Sequence, residues 1–366
     1  MDHRGRQQRV QDSLSTHRLD ALLVTHPANL RYLCGFTGSS GALLLTGTKR
    51  VFITDGRYTA QARAEVRTAQ IVIARQGPLA AAAAAWLSAQ QQKKGRQAPS
   101  KIGIESEHMT VATRSHIARM LPSGFGLREA PALVEQVRMV KEEEEIACLR
   151  SAVLLGASLF DRALEVIRPG VRETAVAAEM EYAGRTAGAQ AMSFETIIAS
   201  GERSALPHGR ASQAAIPGQG FVVCDFGVIL SGYCSDMTRT VYVGHPSAEA
   251  RGVYQAVNQA QQAAVDAVRP GISVSEVDRA ARKSLQRSGL AKYFTHSTGH
   301  GVGLEIHEAP RVAAGQTEIL QPGMLITIEP GVYVPGKWGV RIEDMVVVTE
   351  HGCEVLTPTT KELVAI

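Results

Sequence analysis

The sequence predicts two domains: a smaller α/β domain over residues 1–130 and an α+β domain of two pseudo-symmetric halves over residues 131–366. Short apolar strands that alternate with helices indicate the first domain and favour a partly parallel sheet. An internal repeat indicates the second, since Arg168-Pro169-Gly170-Val171 recurs as Arg269-Pro270-Gly271-Ile272. Each half then carries a β-hairpin with acidic residues. We expect an antiparallel sheet to join the halves, with helices on one face and the acids on the other.

Composition excludes several classes of protein. The 366 residues are 45% hydrophobic and 20% charged, which suffices for sizeable cores. The net charge of +4, from 39 basic and 35 acidic residues, is too balanced to indicate a nucleic acid or a membrane surface as partner. The N-terminal segment has no apolar signal core. Five cysteines without CxxC spacing argue against a disulfide framework and a thiolate zinc site, so we expect a cytoplasmic protein.

The elements of the first domain follow from local pattern. Runs of apolar and β-branched residues predict strands at 21–25, 42–46, 51–54, 71–73 and 101–105. Helices are expected at 7–19, at 55–69 with Asp55 as N-cap, and at 79–92. The Gly-rich loop Thr37–Gly41 lacks the lysine and the helix of a phosphate-binding loop. A tight turn is therefore the preferred interpretation there.

The helices of the second domain are marked by their ends. A long helix is predicted from Val137 to about Ile167, with Glu142–Glu145 in a solvated first turn where the helix dipole favours acids. Each copy of the Arg-Pro-Gly motif follows one amphipathic helix and precedes another. Those second helices are expected to end near Gly188 and Gly289.

The first acid-bearing hairpin runs over residues 221–244. Two apolar, β-prone stretches flank Leu230-Ser231-Gly232, where the chain can turn. If the hairpin is centred between Leu230 and Ser231, Asp225 lies directly opposite Asp236 on one face. Directly opposed like charges are destabilising. The two carboxylates therefore either share a proton, with one pKa raised, or bind cations.

The second hairpin, over residues 322–348, favours cations because it repeats this layout. Its first strand ends at Glu329, its second begins at Glu343, and His300 in a Gly-rich segment is a fifth candidate ligand. A single acid after a strand is usually a turn or cap residue. Acids from two similar hairpins in apolar surroundings, however, need compensation. Two divalent ions would neutralise four carboxylates, so we predict a dinuclear metal site.

With these segments, the chain resembles the pita-bread metallopeptidases, and within them the Xaa-Pro peptidases aminopeptidase P and prolidase. The segments that carry the resemblance are DFGVILSGYCSDMTRT, HSTGHGVGLEIHEAP, IEPGVY and RIEDM, between Asp225 and Met345. The N-terminal NLRYLCGFTGSSGALLLT and ITDGRY look like the creatinase-type domain of this family. The resemblance covers nearly the whole chain. It implies hydrolysis of the bond between an N-terminal residue and proline.

The resemblance also implies a complete set of metal ligands. Asp225 would bind one metal through both carboxylate oxygens, while Asp236 and Glu343 would bridge the two metals. His300 and Glu329 would complete the second metal. Creatinase, by contrast, shares the fold but lacks the metal site. Manganese is the usual metal of the family, with cobalt or zinc as substitutes.

Four further residues are placed around the substrate by the same motifs: His208, His296, His307 and Arg341. His307 would polarise the scissile carbonyl, His208 would hydrogen-bond the substrate beyond the scissile bond, and Arg341 would pair with the acids. Glu329 would shuttle a proton from water to the leaving nitrogen. His208 and His307 fall at corresponding points of the two halves, which favours a functional over a structural role.

Selectivity for proline has a physical reason. An Xaa-Pro amide has no N–H, so a peptidase that binds a substrate N–H cannot use it. A shallow pocket fitted to the ring can. Tyr233, Tyr333 and Trp338 lie near the site in the predicted hairpins.

Several alternatives stay open. Aminopeptidase P acts on longer peptides, and prolidase acts on the dipeptide. Methionine aminopeptidases share the five ligands but usually lack this N-terminal domain. A non-catalytic pita-bread binding protein is the rival from another class, and five intact ligands argue against it. The resemblance further implies a homodimer formed through the N-terminal domain.

Overall fold

The computed structural model describes residues 1–74, 101–121 and 124–366, together with Leu79, Ala83, Ala85 and Trp86. Two compact units are present, Met1–Arg138 and Met139–Ile366. The helix predicted over 79–92 lies outside the described residues except at those four positions. The predicted division of the chain after residue 130 stays a prediction.

The first unit contains a mixed sheet. Its strands are β1 (Ala21–Val24), β2 (Ala42–Thr46), β3 (Arg50–Asp55), β4 (Gln70–Ala74), β5 (Lys101–Glu105) and β6 (Gly126–Ala130). Its helices are α1 (His3–Ser13), α2 (Pro27–Cys34), α3 (Thr59–Glu65), α4 (Val111–Met120) and α5 (Leu133–Met139). The sheet order is β4-β3-β2-β1-β5-β6. β1–β2 and β2–β3 are antiparallel and the other pairs are parallel, which confirms the partly parallel sheet.

The Gly-rich segment after α2 bends at residues 38–40. Gly35 ends α2 in the left-handed conformation with φ 77°. The backbone N–H and the hydroxyl of Thr37 both donate to the Glu65 carboxylate. In a phosphate-binding loop such a backbone N–H would bind the phosphate. Here the Thr37 N–H is bonded to a carboxylate instead. The predicted helix from Asp55 is shorter than expected, because Val66 is extended and α3 ends at Glu65.

The second unit contains the predicted duplication. Its helices are α6 (Glu143–Val166) and α7 (Glu173–Thr186) in one half, and α8 (Ala248–Ala267) and α9 (Val274–Arg287) in the other. Each pair is joined by a turn with a left-handed glycine, Gly170 at φ 84° and Gly271 at φ 86°. The second helix of each pair ends just before Gly188 or Gly289, as predicted.

The strands of this unit form sheets of three, three, five and two strands. They are β7 (Ala191–Met192), β8 (Ile197–Ser200), β9 (Gly220–Phe226), β10 (Val228–Leu230), β11 (Tyr233–Cys234), β12 (Met237–Val243), β13 (Gly299–Gly301), β14 (Glu308–Val312), β15 (Leu325–Ile328), β16 (Gly331–Val334), β17 (Trp338–Arg341), β18 (Asp344–Val348) and β19 (Cys353–Val355). The sheet orders are β12-β9-β8, β11-β10-β7, β14-β13-β15-β18-β19 and β16-β17.

Alternation along β9 decides which face carries the acid. Val222, Cys224 and Phe226 pack in one hydrophobic core with residues of α6 and α7. Side chains of neighbouring strand residues point to opposite faces, so Asp225 points away from this core. A second core packs α8 and α9 against β15 and β18. The acids of both halves therefore lie on the face opposite the helices.

The single long helix predicted over 137–167 is instead two helices. α5 ends at Met139, Val140 forms a bridge with Met324, and α6 begins after Glu142 as N-cap. The side chains of Glu142 and Glu145 form a capping box. The prediction of a solvated acidic turn was wrong for Glu145, which is 2% exposed. A capping carboxylate that closes the box must lie against the helix end rather than in solvent.

Tyr233 supports this buried carboxylate. Its hydroxyl lies 3.1 Å from Glu145 Oε1. We expect Tyr233→Phe to lower the free energy of unfolding by about 1–2 kcal/mol, since a donor to a buried acid is lost. Urea denaturation measures this. Tyr182→Phe on α7, where the tyrosine is 72% exposed, should change it by less than about 0.5 kcal/mol. An unfolding midpoint unchanged by Tyr233→Phe would contradict the role.

No helix among the described residues is both long and apolar enough to cross a bilayer. The five cysteines are all free thiols.

Candidate metal centre

The first hairpin turns one position later than predicted. Ser231 and Gly232, with φ 51° and 81°, form the centre of the turn between β10 and β11. Two-residue hairpin turns of this kind require positive φ at both centres, which places glycine second. Asp225 consequently pairs with Thr238 and not with Asp236. The register differs by two residues, so both acids stay on one face as diagonal neighbours.

In the second hairpin the two acids do oppose each other. Ile328 pairs with Asp344, and Gly331 pairs with Arg341 on the other side of the gap. The same register between these pairs sets Glu329 opposite Glu343. Thr238 joins the two hairpins, since its hydroxyl donates to Glu343 Oε2 at 2.7 Å and its carbonyl accepts the Glu343 N–H.

All nine predicted site residues line one cavity of about 670 Å³ in the second unit. They are Asp225, Asp236, His300, Glu329, Glu343, His208, His296, His307 and Arg341. The described parts of its wall also include Phe194, Ile197 and Ile306, which add apolar surface. The strand ends and loops that carry these residues come from both halves of the duplication.

Three of the predicted ligands meet closely enough for one ion. One ligand atom from each of Asp236, His300 and Glu343 lies within 4.8 Å of the others. His300 Nε2 is 3.4 Å from Glu329 Oε1 and 3.7 Å from Asp236 Oδ2. Burial lowers the pKa of His300 to about 4, and its Nδ1 lies 3.0 Å from the Gly301 carbonyl oxygen. Neutral His300 donating from Nδ1 presents the Nε2 lone pair to the acids.

Two carboxylate oxygens in this cluster are buried and unbonded. Within the described part of the chain, Asp225 Oδ1 and Glu343 Oε1 have no hydrogen-bond partner. Their sister oxygens are bonded, Asp225 Oδ2 to the Arg341 guanidinium and Glu343 Oε2 to Thr238. A buried anionic oxygen without a partner is costly. The two bare oxygens fit divalent cations, which take oxygen ligands.

The pKa values of the buried acids also favour bound cations. Burial, and then the neighbouring acids, raise the pKa of Asp236 and Glu343 well above the ordinary range. Burial raises the pKa of Glu329 to about 7, although Arg341 opposes the shift. The Arg341 guanidinium thus carries a single positive charge beside four carboxylates. The side chains of the described residues do not neutralise the cluster.

Arg341 is tied to its surroundings. Its guanidinium donates to Asp225 Oδ2 at 2.5 Å, to the Tyr333 hydroxyl at 2.6 Å and to the Pro207 carbonyl at 2.9 Å. Its Nε donates to the Thr238 hydroxyl at 3.0 Å. Four N–H groups are engaged, so the side chain fixes Asp225 and the wall of the cavity.

The histidines differ in their freedom. His296 is held by the Ser297 carbonyl at 2.8 Å and the Tyr333 hydroxyl at 3.0 Å, and burial lowers its pKa to about 4. His307 is exposed, and its ring meets that of His300 edge-on with centroids 4.4 Å apart. Burial, followed by His208, lowers the pKa of His307. The ring of His208 has no hydrogen bond to any described residue.

Two of the three aromatic residues suggested for the proline pocket lie elsewhere. Tyr333 borders the site through Arg341 and His296, but Tyr233 is bonded to Glu145 and Trp338 lines a separate cavity. Strand alternation alone could not show which hairpin face each ring takes. Sequence reasoning also missed Thr238, although it lies two residues after Asp236, on the same face of the strand.

Comparison with known proteins identifies the family to which the chain belongs. Residues 147–350 match the model of metallopeptidase family M24, and residues 6–140 match the creatinase/prolidase N-terminal domain. The uncharacterized peptidase YqhT of Bacillus subtilis is 41% identical over 346 residues, 94% of this chain and 96% of that protein.

Solved structures agree over the full length. A Xaa-Pro dipeptidase from Bacillus anthracis superimposes with a TM-score of 0.94 at 38% identity, covering 100% of both chains. An X-Pro aminopeptidase from Thermotoga maritima gives 0.88 at 33% identity, covering 97% of this chain and 100% of that one. The predicted pita-bread fold with a creatinase-type N-terminal domain is confirmed. The chain belongs to metallopeptidase family M24, a family of metal-dependent peptidases with a dinuclear divalent metal centre.

Proposed function

We propose that this protein is a Xaa-Pro peptidase that hydrolyses the bond between an N-terminal residue and proline with two divalent metal ions. The observation that supports this most is the meeting of four carboxylates and His300, with two buried oxygens left bare. Relatives of similar length are a Xaa-Pro dipeptidase and an X-Pro aminopeptidase. The site chemistry suits hydrolysis, and the relatives suggest the substrate.

The ligand set would be divided between the ions according to the predicted roles. Asp225 would hold one ion, Asp236 and Glu343 both, and His300 and Glu329 the other. When bound, such ions lower the pKa of water to near neutrality and polarise a carbonyl. Manganese is the proposed metal, with cobalt or zinc as substitutes, since hard oxygen donors and one imidazole suit all three.

The protein's own groups would orient the substrate and move the proton. Neutral His307, exposed beside His300, can donate an N–H to the scissile carbonyl oxygen. His208, whose ring has no partner among the described residues, is free to bond the substrate beyond that bond. Glu329, whose pKa lies near 7 without metal, is suited to carry a proton to the leaving nitrogen. Arg341 would act on the substrate through the cavity wall that it holds.

Two alternative functions are less well supported. The match of residues 6–140 to a creatinase/prolidase N-terminal domain disfavours a methionine-aminopeptidase-like enzyme. The ligand cluster disfavours a non-catalytic binding protein. We further propose a peptide or dipeptide with proline second as the partner, a homodimer as the assembly, and the cytoplasm as the compartment.

Turnover of a matched peptide pair tests the function. We expect the Mn²⁺-loaded protein to hydrolyse Ala-Pro, Ala-Pro-Ala or both, and to lose that activity with chelator. Comparable rates on both peptides assign an aminopeptidase, and a rate on the dipeptide alone assigns a dipeptidase. Ala-Ala-Ala and Met-Ala-Ala are the controls. Preference for Met-Ala-Ala would favour the methionine-aminopeptidase alternative. No metal-dependent cleavage of any peptide would overturn the proposal.

A further inference from the structure

Both ends of the segment that carries His208 meet at one buried carboxylate. Glu173, the first residue of α7, is fully buried. Its Oε1 accepts the backbone N–H and the hydroxyl of Ser200, both at 2.8 Å. Its Oε2 accepts the hydroxyl of Ser212 at 2.7 Å and the backbone N–H of Ser212 at 3.1 Å. One side chain thus bonds both ends of the loop over residues 200–212, in addition to the pairing of Ser200 with Val222 and the bond from the Thr174 N–H to the Ser212 carbonyl.

An arginine within the loop completes this contact. Arg203 Nε lies 3.0 Å from Glu173 Oε2, and its Nη2 donates to the Arg210 carbonyl at 2.8 Å. Arg203 therefore joins the carboxylate to the part of the loop that follows His208. Four donors from the two serines and Arg203 Nε point at Glu173, so the buried charge is compensated only when the loop is in this conformation.

The middle of the loop is buried at Ser204 and Ala205, and the Gly339 N–H donates to the Ser204 hydroxyl at 2.8 Å. Ser200, Gly201 and Arg203 line a separate cavity of about 500 Å³, and His208 lines the metal-site cavity. The loop therefore forms a wall between two openings. The loop is also tied to the site by the Pro207 carbonyl, which accepts from Arg341 at 2.9 Å, and by Arg210, whose Nε lies 3.0 Å from Glu195 Oε2. The Glu173 hydrogen bonds therefore fix the two ends of this wall, while buried contacts at Ser204 and Ala205 hold its middle.

We propose that Glu173 is a positioning residue that holds His208 at the metal-site cavity by fixing both ends of the 200–212 loop. The role given to His208 rests on the proposed function, whereas the closure of the loop does not. Glu173 touches no reacting atom, so it acts only through the loop. Its position at the start of α7 adds the favourable interaction of an anion with a helix N-terminus.

The other half of the unit supplies a matched control. Buried Asp278 accepts the Thr298 hydroxyl at 2.8 Å and Arg282 Nε at 2.8 Å. Arg282 Nη2 in turn donates to the His296 carbonyl at 2.6 Å. Asp278 thus holds the segment of His296 and not that of His208. A change at Asp278 should leave the 200–212 loop unaffected.

A double-mutant cycle tests the positioning role. We expect Glu173→Gln to lower kcat/KM on a Xaa-Pro peptide about tenfold when His208 is present. In the His208→Ala background the same change should cost less than about twofold, because the residue through which Glu173 acts is gone. Asp278→Asn should lose activity equally in both backgrounds. Glu179→Gln, at an exposed position of α7, should change nothing.

Amide hydrogen exchange measures the opening of the loop independently of enzymatic activity. We expect the Ser200 and Ser212 amides to exchange at least about tenfold faster in Glu173→Gln, with residues 294–298 unchanged. Ser200→Ala with Ser212→Ala removes two donors and keeps the carboxylate, so it serves if Glu173→Gln does not fold. Equal activity losses in both His208 backgrounds would overturn the positioning role, and so would unchanged exchange. If the wild type cleaves no Xaa-Pro peptide, the proposed function fails and the exchange result alone decides the loop closure.

Discussion

Asp236→Asn is expected to lower kcat on a Xaa-Pro peptide by at least about a thousandfold, because a carboxylate between His300 and Glu343 becomes a neutral amide. An amide offers one weak oxygen ligand where the carboxylate offers two anionic ones. The loss should appear together with a loss of bound metal. Metal content after gel filtration and peptide turnover measure the two effects.

The same change should not destabilise the metal-free protein. Burial and the charge of Glu343 raise the pKa of Asp236 well above the ordinary range, so its ionised form is unfavourable in the folded state. Removing that charge relieves repulsion. We therefore expect a melting temperature equal to or above that of the chelated wild type. A marked fall in melting temperature would show that Asp236 serves structure rather than metal binding.

The neighbouring Asp344 is the matched control. Its carboxylate is bonded to Arg239 Nη2 at 2.7 Å, and Lys361 Nζ lies 3.1 Å away. Asp344→Asn breaks a buried ion pair and should cost about 3 kcal/mol of unfolding free energy. It should leave metal binding intact once the protein is folded. If both variants lost metal and stability alike, the distinction between ligand and structural acid would be wrong.

The adjacent acids Glu343 and Asp344 show where sequence reasoning succeeds. Alternation along a strand puts Glu343 and Asp344 on opposite faces, the repeat of the hairpins relates both to the acids of the first half, and the family resemblance selects Glu343 as the expected ligand. Which face carries the proposed metal ligands follows from the apolar residues of the neighbouring strands. The duplication, the face of each acid and the helix ends at Gly188 and Gly289 all depend on local pattern. They were therefore predictable.

The errors arose where a tertiary contact competes with local pattern. The turn of the first hairpin depends on positive φ at Ser231 and Gly232, which shifted the pairing of Asp225 from Asp236 to Thr238. The predicted long helix breaks where Val140 bridges to Met324, a residue distant in the sequence. The local sequence of neither segment indicates these features. Loop closure by Glu173 is of the same kind, since its donors are remote in sequence.

Removing metal should make stability depend on pH in a direction fixed by the acid cluster. Burial raises the pKa of Glu329 to about 7 and those of Asp236 and Glu343 well above their ordinary range. The folded protein therefore binds more protons than the unfolded chain, and stability falls as pH rises. This contribution is fully present below about pH 4 and is lost as pH passes through 7. We expect the melting temperature of the chelated protein to fall between pH 5 and 8.

The size of the effect follows from the same shift. A rise from 4.5 to about 7 for Glu329 corresponds to about 3 kcal/mol, or roughly 6–12 °C in melting temperature for a domain of this size. Bound Mn²⁺ compensates the ionised acids, so the metal-loaded protein should melt higher and change less over this interval. Glu329→Gln should flatten the curve of the chelated protein. Parallel curves with and without metal would contradict this, because charges elsewhere in the chain act equally on both forms and cancel in the difference.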